Sequence, residues 1–188
     1  MAIVGAQPDR QVWVSPLRQI ELCAQQRAKE ADLDMADPGA KEVLRRFLVE
    51  EVASWRADYT EGKRPFDIVD PEAAVEKALR NLVGYGPLEP LLAEADVWEI
   101  MVNGPSSIFV KRRSGRGGFH DEVFHDDEHV ARVITKIMED SSASHRKLDP
   151  AEGLQDAQLE GGARMHIVHA DIGRDGQASE STYSEVVP

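Results

Sequence analysis

Residues 81–105 read NLVGYGPLEPLLAEADVWEIMVNGP, from Asn81 to Pro105, and they decide the fold. Two glycines, Gly84 and Gly86, bracket Tyr85 and let the backbone turn where a side chain would clash. Pro87 and Pro90 fix the direction of a short helix from Pro87 to Ala93. Val97–Val102 then reads as a strand, with Ile100 and Val102 on one side and Glu99 and Met101 on the other. Asn103-Gly104 tolerates positive φ and ends it.

Downstream the pattern continues as sheet and helix. Ile108–Lys111 is a second strand, Ser114–Gly118 a glycine-rich turn, and Phe119–Phe124 the return strand of a hairpin. Asp126 is placed to cap a helix whose apolar face is Val130, Val133, Ile134, Ile137 and Met138. Ser141–Ser144 breaks that helix. Leu154–Leu159 and Met165–Val168 form another hairpin around Glu160-Gly161-Gly162. Arg174–Pro188 is polar and aperiodic and reads as a disordered tail.

Upstream the periodicity is helical. Residues 1–14 carry no strong period and read as a flexible arm. Ser15-Pro16 signals a helix start, with Ser as the cap and Pro in the first turn. Leu17, Ile20, Leu22 and Ala24 form a partial apolar stripe. Asp37-Pro38 opens a second helix carrying Val43, Leu44, Phe47, Leu48, Val52 and Trp55. Asp70-Pro71 opens a third, with Val75, Leu79, Leu82 and Val83 on one face and Gly84 at its stop. The expected organisation is a flexible arm (1–14), a helical subdomain (15–70), a sheet domain (71–173) and a tail (174–188). The fold class is α+β, with a mainly antiparallel sheet packed by helices.

Composition narrows the functional classes. The 188 residues carry a formal net charge of −12, with 22 Lys and Arg against 34 Asp and Glu. Such a surface repels phosphate polymers and anionic lipid, so neither a nucleic-acid partner nor direct membrane insertion is expected. No secretory signal and no apolar run of membrane-spanning length is visible, which points to the cytoplasm. The single cysteine, Cys23, reads as a half-buried small residue in a reducing compartment.

Three blocks carry a family resemblance: Leu82–Leu92, Val97–Pro105, and Asp156-Ala157-Gln158-Leu159 followed by Gly162-Ala163-Arg164-Met165. They resemble the N-terminal domain of the CpaF/TadA-like type II/IV secretion ATPases that serve Tad/Flp pili, across roughly Pro71 to Gly176. The resemblance implies a PAS-like domain packed on a RecA-like ATPase domain, six chains in a ring, and nucleotide in the cleft between the two domains. It also implies arginines reaching the phosphates from the N-terminal side. Gln158 stands where the family pattern has the first Arg, and Arg164 keeps the second. Arg164 is therefore the expected nucleotide-binding residue, with an ion-paired surface role as its plain alternative.

The motor is not in these residues. A phosphate-binding loop needs Gly-x-x-x-x-Gly-Lys-Ser/Thr. The one Gly-Lys pair, Gly62-Lys63, is followed by Arg64, and Ala57 stands at the first glycine position. Gly115, Gly117 and Gly118 fail the dinucleotide pattern, since His120 occupies its last glycine position. No catalytic residue and no cofactor is expected. ATP enters only if a partner supplies the ATPase domain.

His125-Asp126-Asp127-Glu128-His129 has the donors of a metal site. However, His125 lies ahead of the helix and the acids suit its positive end. His166 and His169, three apart on a strand, face opposite sides. No metal is therefore expected. Lys111-Arg112-Arg113 with Arg116 reads as a solvated hairpin tip, or as a contact for an acidic partner or neighbouring subunit. Trp13, Trp55 and Trp98 read as core or interface anchors.

The expected function is a truncated or accessory member of the secretion-ATPase family. It would assemble with itself, with a full-length secretion ATPase or with inner-membrane platform proteins, and would not hydrolyse ATP alone. The alternatives are the front half of a split active motor and a small-ligand sensor of PAS-like fold.

Overall fold

The computed structural model describes residues 14–140 and the backbone of three strands, 154–158, 164–168 and 183–187. Among the described residues five α-helices and six strands follow in chain order. These are α1 (Pro16–Glu30), α2 (Ala40–Thr60), α3 (Pro71–Val83), α4 (Glu89–Ala93), β1 (Val97–Asn103), β2 (Ile108–Arg112), β3 (Gly117–Phe119), α5 (Asp127–Asp140), β4 (Leu154–Gln158), β5 (Arg164–Val168) and β6 (Tyr183–Val187). The chain divides into two compact units, Met1–Ala78 and Leu79–Pro188, and the division falls within α3.

In the first unit α1 packs on α2. Ser15 caps α1 as its sequence predicts, its Oγ accepting from Arg18 N–H at 3.2 Å. The buried stripe of α1 is Ile20, Glu21 and Ala24, while Leu22 is 45% exposed. This corrects the stripe read from the sequence. At 100° per residue, position 21 shares the face of 20 and 24, and position 22 turns away. Cys23 lies beside Leu22 on that outer face and is exposed, not half-buried. Gly39, not Asp37, occupies the cap position of α2. Trp55 is a core residue whose Nε1–H donates to the Phe66 carbonyl at 2.9 Å, with the Arg64 guanidinium 4.2 Å from its ring centroid.

The second unit is built around a six-stranded antiparallel sheet in the order β3-β2-β1-β6-β5-β4. Its core joins Leu88 and Leu91 to Val97, Ile100 and Val102 of β1 and to Ile108 and Val110 of β2. Phe124 and Val130, Val133, Ile134, Ile137 and Met138 of α5 complete it. Each of these side chains contributes on the order of 1.5–3 kcal/mol by leaving water. Exposed ion pairs contribute about 0–1 kcal/mol, so the α5 face and not the surface charges holds the unit together.

β1 is not a regular strand. Val97 faces Arg112 and Glu99 faces Lys111, so one residue, Trp98, is extra and forms a β-bulge. The bulge keeps Val97 on the buried face with Ile100 and Val102 and leaves Trp98 54% exposed.

Two stretches differ from the sequence reading. The return strand is Gly117–Phe119, earlier and shorter than Phe119–Phe124. Its glycines let it lie close beside β2, where a Cβ on Gly117 would come within 3.0 Å of the Phe109 ring. Phe124 instead enters the core on the way to α5, its N–H bonded to the Pro105 carbonyl at 2.9 Å. The stretch read as a disordered tail contains β6, inserted between β1 and β5. Tyr183, Val186 and Val187 carry the strand-favouring side chains that a polar average over the stretch conceals. Residues 1–13 of the expected arm (1–14), Trp13 among them, and the break at Ser141–Ser144 lie outside the described residues.

The Gly84–Pro90 block works by close approach. Gly86 sits at φ +56°, and a Cβ there would lie 3.0 Å from Nε2 of the buried His129. Glu89 turns back so that its carboxylate accepts from Tyr85 N–H at 3.1 Å, over Gly84, where a side chain would block it. Replacing Gly86 by Ala is expected to cost about 1–3 kcal/mol in urea unfolding. Gly115 has a similar φ of +80° but open space around it, so Gly115→Ala should cost visibly less. Equal losses at the two positions would mean that the His129 contact contributes nothing.

Candidate functional site

Arg164 opens β5, and the register sets it directly opposite Gln158 at the end of β4 and opposite Val187 of β6. The two positions singled out for phosphate contact are thus cross-strand partners at one end of one hairpin. The backbone brings them together. Their side chains lie outside the description, as do those of His166 and His169.

His125 and His129 are brought together for packing. His129 is fully buried, its ring stacked on His125 at 5.1 Å and edge-on to Phe124 at 5.1 Å. Its Nδ1 accepts from His125 N–H at 3.2 Å, and its own N–H donates to Asp126 Oδ1 at 2.7 Å. Asp126 is therefore the helix cap that the sequence predicts. Among the described residues no group of three or more His, Cys, Asp and Glu is placed to hold a metal ion.

Asn81 is a residue that sequence reasoning missed. It is buried, its side-chain nitrogen lies 3.3 Å from His125 Nε2, and its carbonyl accepts from Arg132 at 3.1 Å. Arg80 beside it donates to both oxygens of Glu122 at 3.1 Å. A polar residue ahead of an apolar pair gave no hint of burial, because its partners stand more than 40 positions away in the chain.

The β2–β3 tip makes an open cleft of about 410 Å3 lined by Trp98, Lys111, Arg112, Arg113, Gly115, Arg116 and Gly117. Two of its cations are committed. Lys111 Nζ lies 2.6 Å from Glu99 Oε2. Arg112 donates to both oxygens of Glu94 at 2.9 and 3.1 Å. The tip backbone is pinned by Arg113 N–H to the Asp96 carbonyl at 2.8 Å and by Ser114 Oγ to Asp96 Oδ2 at 3.1 Å. Arg113 and Arg116 are exposed, and among the described residues neither forms an ion pair.

The geometry defines an α+β protein, a helical unit followed by an antiparallel sheet domain that carries a basic cleft floored by tryptophan. No protein-family model matches the chain. The chain is similar to two Mycobacterium tuberculosis proteins named as conjugal transfer proteins, in strains CDC 1551 / Oshkosh and H37Rv. Each is 29% identical over 102 residues, covering 51% of this chain and 28% of the relative. The chain thus spans little more than a quarter of the length of these relatives. Among solved structures, the VirB11 ATPase of the Brucella suis type IV secretion system, crystallised with sulphate, matches 54% of this chain and 29% of its own. The TM-score of that match is 0.43, with 20% identity. No helix among the described residues is long and apolar enough to cross a membrane.

The Glu94–Arg112 pair gives a pH prediction. The Arg112 hydrogen bond holds the Glu94 carboxyl below its ordinary value of 4.5. A depressed carboxylate adds stability above the unfolded value and loses it as pH falls through the folded one. NMR titration should place the Glu94 midpoint below that of an unpaired Glu, and Arg112→Ala should return it to the ordinary value. An unmoved midpoint in the variant would show that the pair does not form in solution.

Proposed function

We propose that this chain works in type IV secretion as a docking component, its sheet domain assembling with a secretion ATPase and not turning over nucleotide within these residues. The observation that carries the reading is the similarity over 102 residues to proteins named for conjugal transfer. The positions of the resemblance support it by their structural use. Gly84, Gly86 and Glu89 shape the entry to the sheet domain, and Ile100 and Val102 lie in its core. The finer reading is a relative of the Tad/Flp pilus motors, located in the cytoplasm or held at the inner membrane through partners.

On this reading the end of the β4–β5 hairpin faces nucleotide only when a partner supplies the ATPase domain. Arg164 then meets the phosphates, a task suited to a guanidinium fork. Gln158 opposite it offers no charge, so phosphate contact from this side is weaker than two arginines would give.

Light scattering on a size-exclusion column tests the assembly. Mixed with a full-length secretion ATPase that carries a phosphate-binding loop, the chain should co-elute in a complex larger than either component. Arg164→Ala should leave co-elution intact while weakening nucleotide retention by the mixture. A chain that stays monomeric and ignores the ATPase overturns the proposal, as does ATP turnover by the chain alone that is lost on Arg164→Ala.

A further inference from the structure

We infer that the cleft floored by Trp98 binds an acidic polypeptide segment of a partner protein, with carboxylates on Arg113 and Arg116 and an apolar side chain on the indole. This stands apart from the ATPase-docking reading and survives its failure.

The cleft has two charges to spare and an apolar floor. Lys111 and Arg112 are neutralised by Glu99 and Glu94, whereas Arg113 and Arg116 reach solvent from a tip whose backbone is already tied to Asp96. Holding the loop in advance reduces the ordering cost of binding. A guanidinium takes a carboxylate through two parallel hydrogen bonds. Trp98 is 54% exposed because the bulge in β1 turns it out of the core, so its indole offers area for an apolar side chain. The adjoining strand β3 is an edge of the sheet, and the space a side chain on Gly118 would enter is empty. An extended segment can lie along such an edge and use its backbone groups.

The same features disfavour other anions. A nucleic acid draws its affinity from many phosphate contacts, and two free arginines on a chain of net charge −12 supply few. An anionic bilayer needs a cluster of about 4–8 basic residues. A free phosphate would leave the indole unused. An acidic peptide with interspersed leucines uses every part of the cleft.

The probe is a short capped peptide of Glu and Leu without tryptophan, added to the full chain and followed by NMR at the Trp98 indole N–H, assigned with Trp98→Phe. The expected result is a saturable shift that weakens with added salt. Arg113→Gln with Arg116→Gln should weaken binding by about tenfold or more, the scale of a lost charge-assisted contact. Trp98→Ala, which lacks the indole, is followed at the backbone amides of Arg113–Gly117 and should bind more weakly too, both variants keeping the thermal midpoint of the parent. A peptide with Lys in place of Glu should give no shift. The inference is overturned if the acidic peptide leaves the indole unmoved, or if the double arginine variant binds it as well as the parent. It is equally overturned if inorganic phosphate or phosphatidylserine vesicles shift the indole as strongly as the peptide does.

Discussion

The sheet domain depends on one geometric constraint in β1. Val97, Ile100 and Val102 must all reach the core, yet their spacing is three and then two. A strand alternates with a period of two, so a regular β1 would bury Trp98 and expel Val97. The bulge between Val97 and Glu99 absorbs the extra residue. With it, a small β-branched side chain sits under α5, and the largest side chain of the strand stands outside. β1 is also paired on both sides, to β2 and to β6, so its register passes to the whole sheet.

The consequences run in both directions along the chain. On the core side, α5 closes over β1 and β2, and its first turn carries His129 to within packing distance of Gly86. The glycine-rich entry and the start of α5 are therefore matched to one another. On the outer side, the bulge puts an exposed indole beside a hairpin tip in which Lys111 and Arg112 are paired with Glu99 and Glu94, while Arg113 and Arg116 are not paired among the described residues. The core constraint and the candidate binding surface come from the same inserted residue.

Much of this was legible in the sequence. The caps at Ser15 and Asp126 and the turn in which Glu89 accepts from Tyr85 N–H act through neighbours within a few residues, and the apolar face of α5 shows in its own helical period. Local chemistry of that kind is written in local sequence. What escaped was non-local. The bulge needs the partner strand to show which residue is extra. The burial of Asn81 and the placing of β6 depend on partners far along the chain. Leu22 was placed on the inner stripe of α1 for a simpler reason: it is apolar, but the helical angle turns it out and puts Glu21 on the inner face. For the candidate site, Arg164 was singled out by resemblance, and register alone then set it opposite Gln158. The basic tip was legible as a contact for an acidic partner, but its joining to Trp98 was not, because Trp98 and Arg113 with Arg116 become neighbours only once β1 and β2 pair.

Deleting Trp98 tests the central claim most directly, with urea unfolding followed by circular dichroism as the measurement. If the bulge exists to keep Val97 in the core, the shortened strand alternates regularly and still buries Val97, Ile100 and Val102. The variant should then unfold cooperatively at the parent's midpoint or above it. Loss of the cooperative transition in the sheet domain would contradict this reading of β1 and of the cleft built on it.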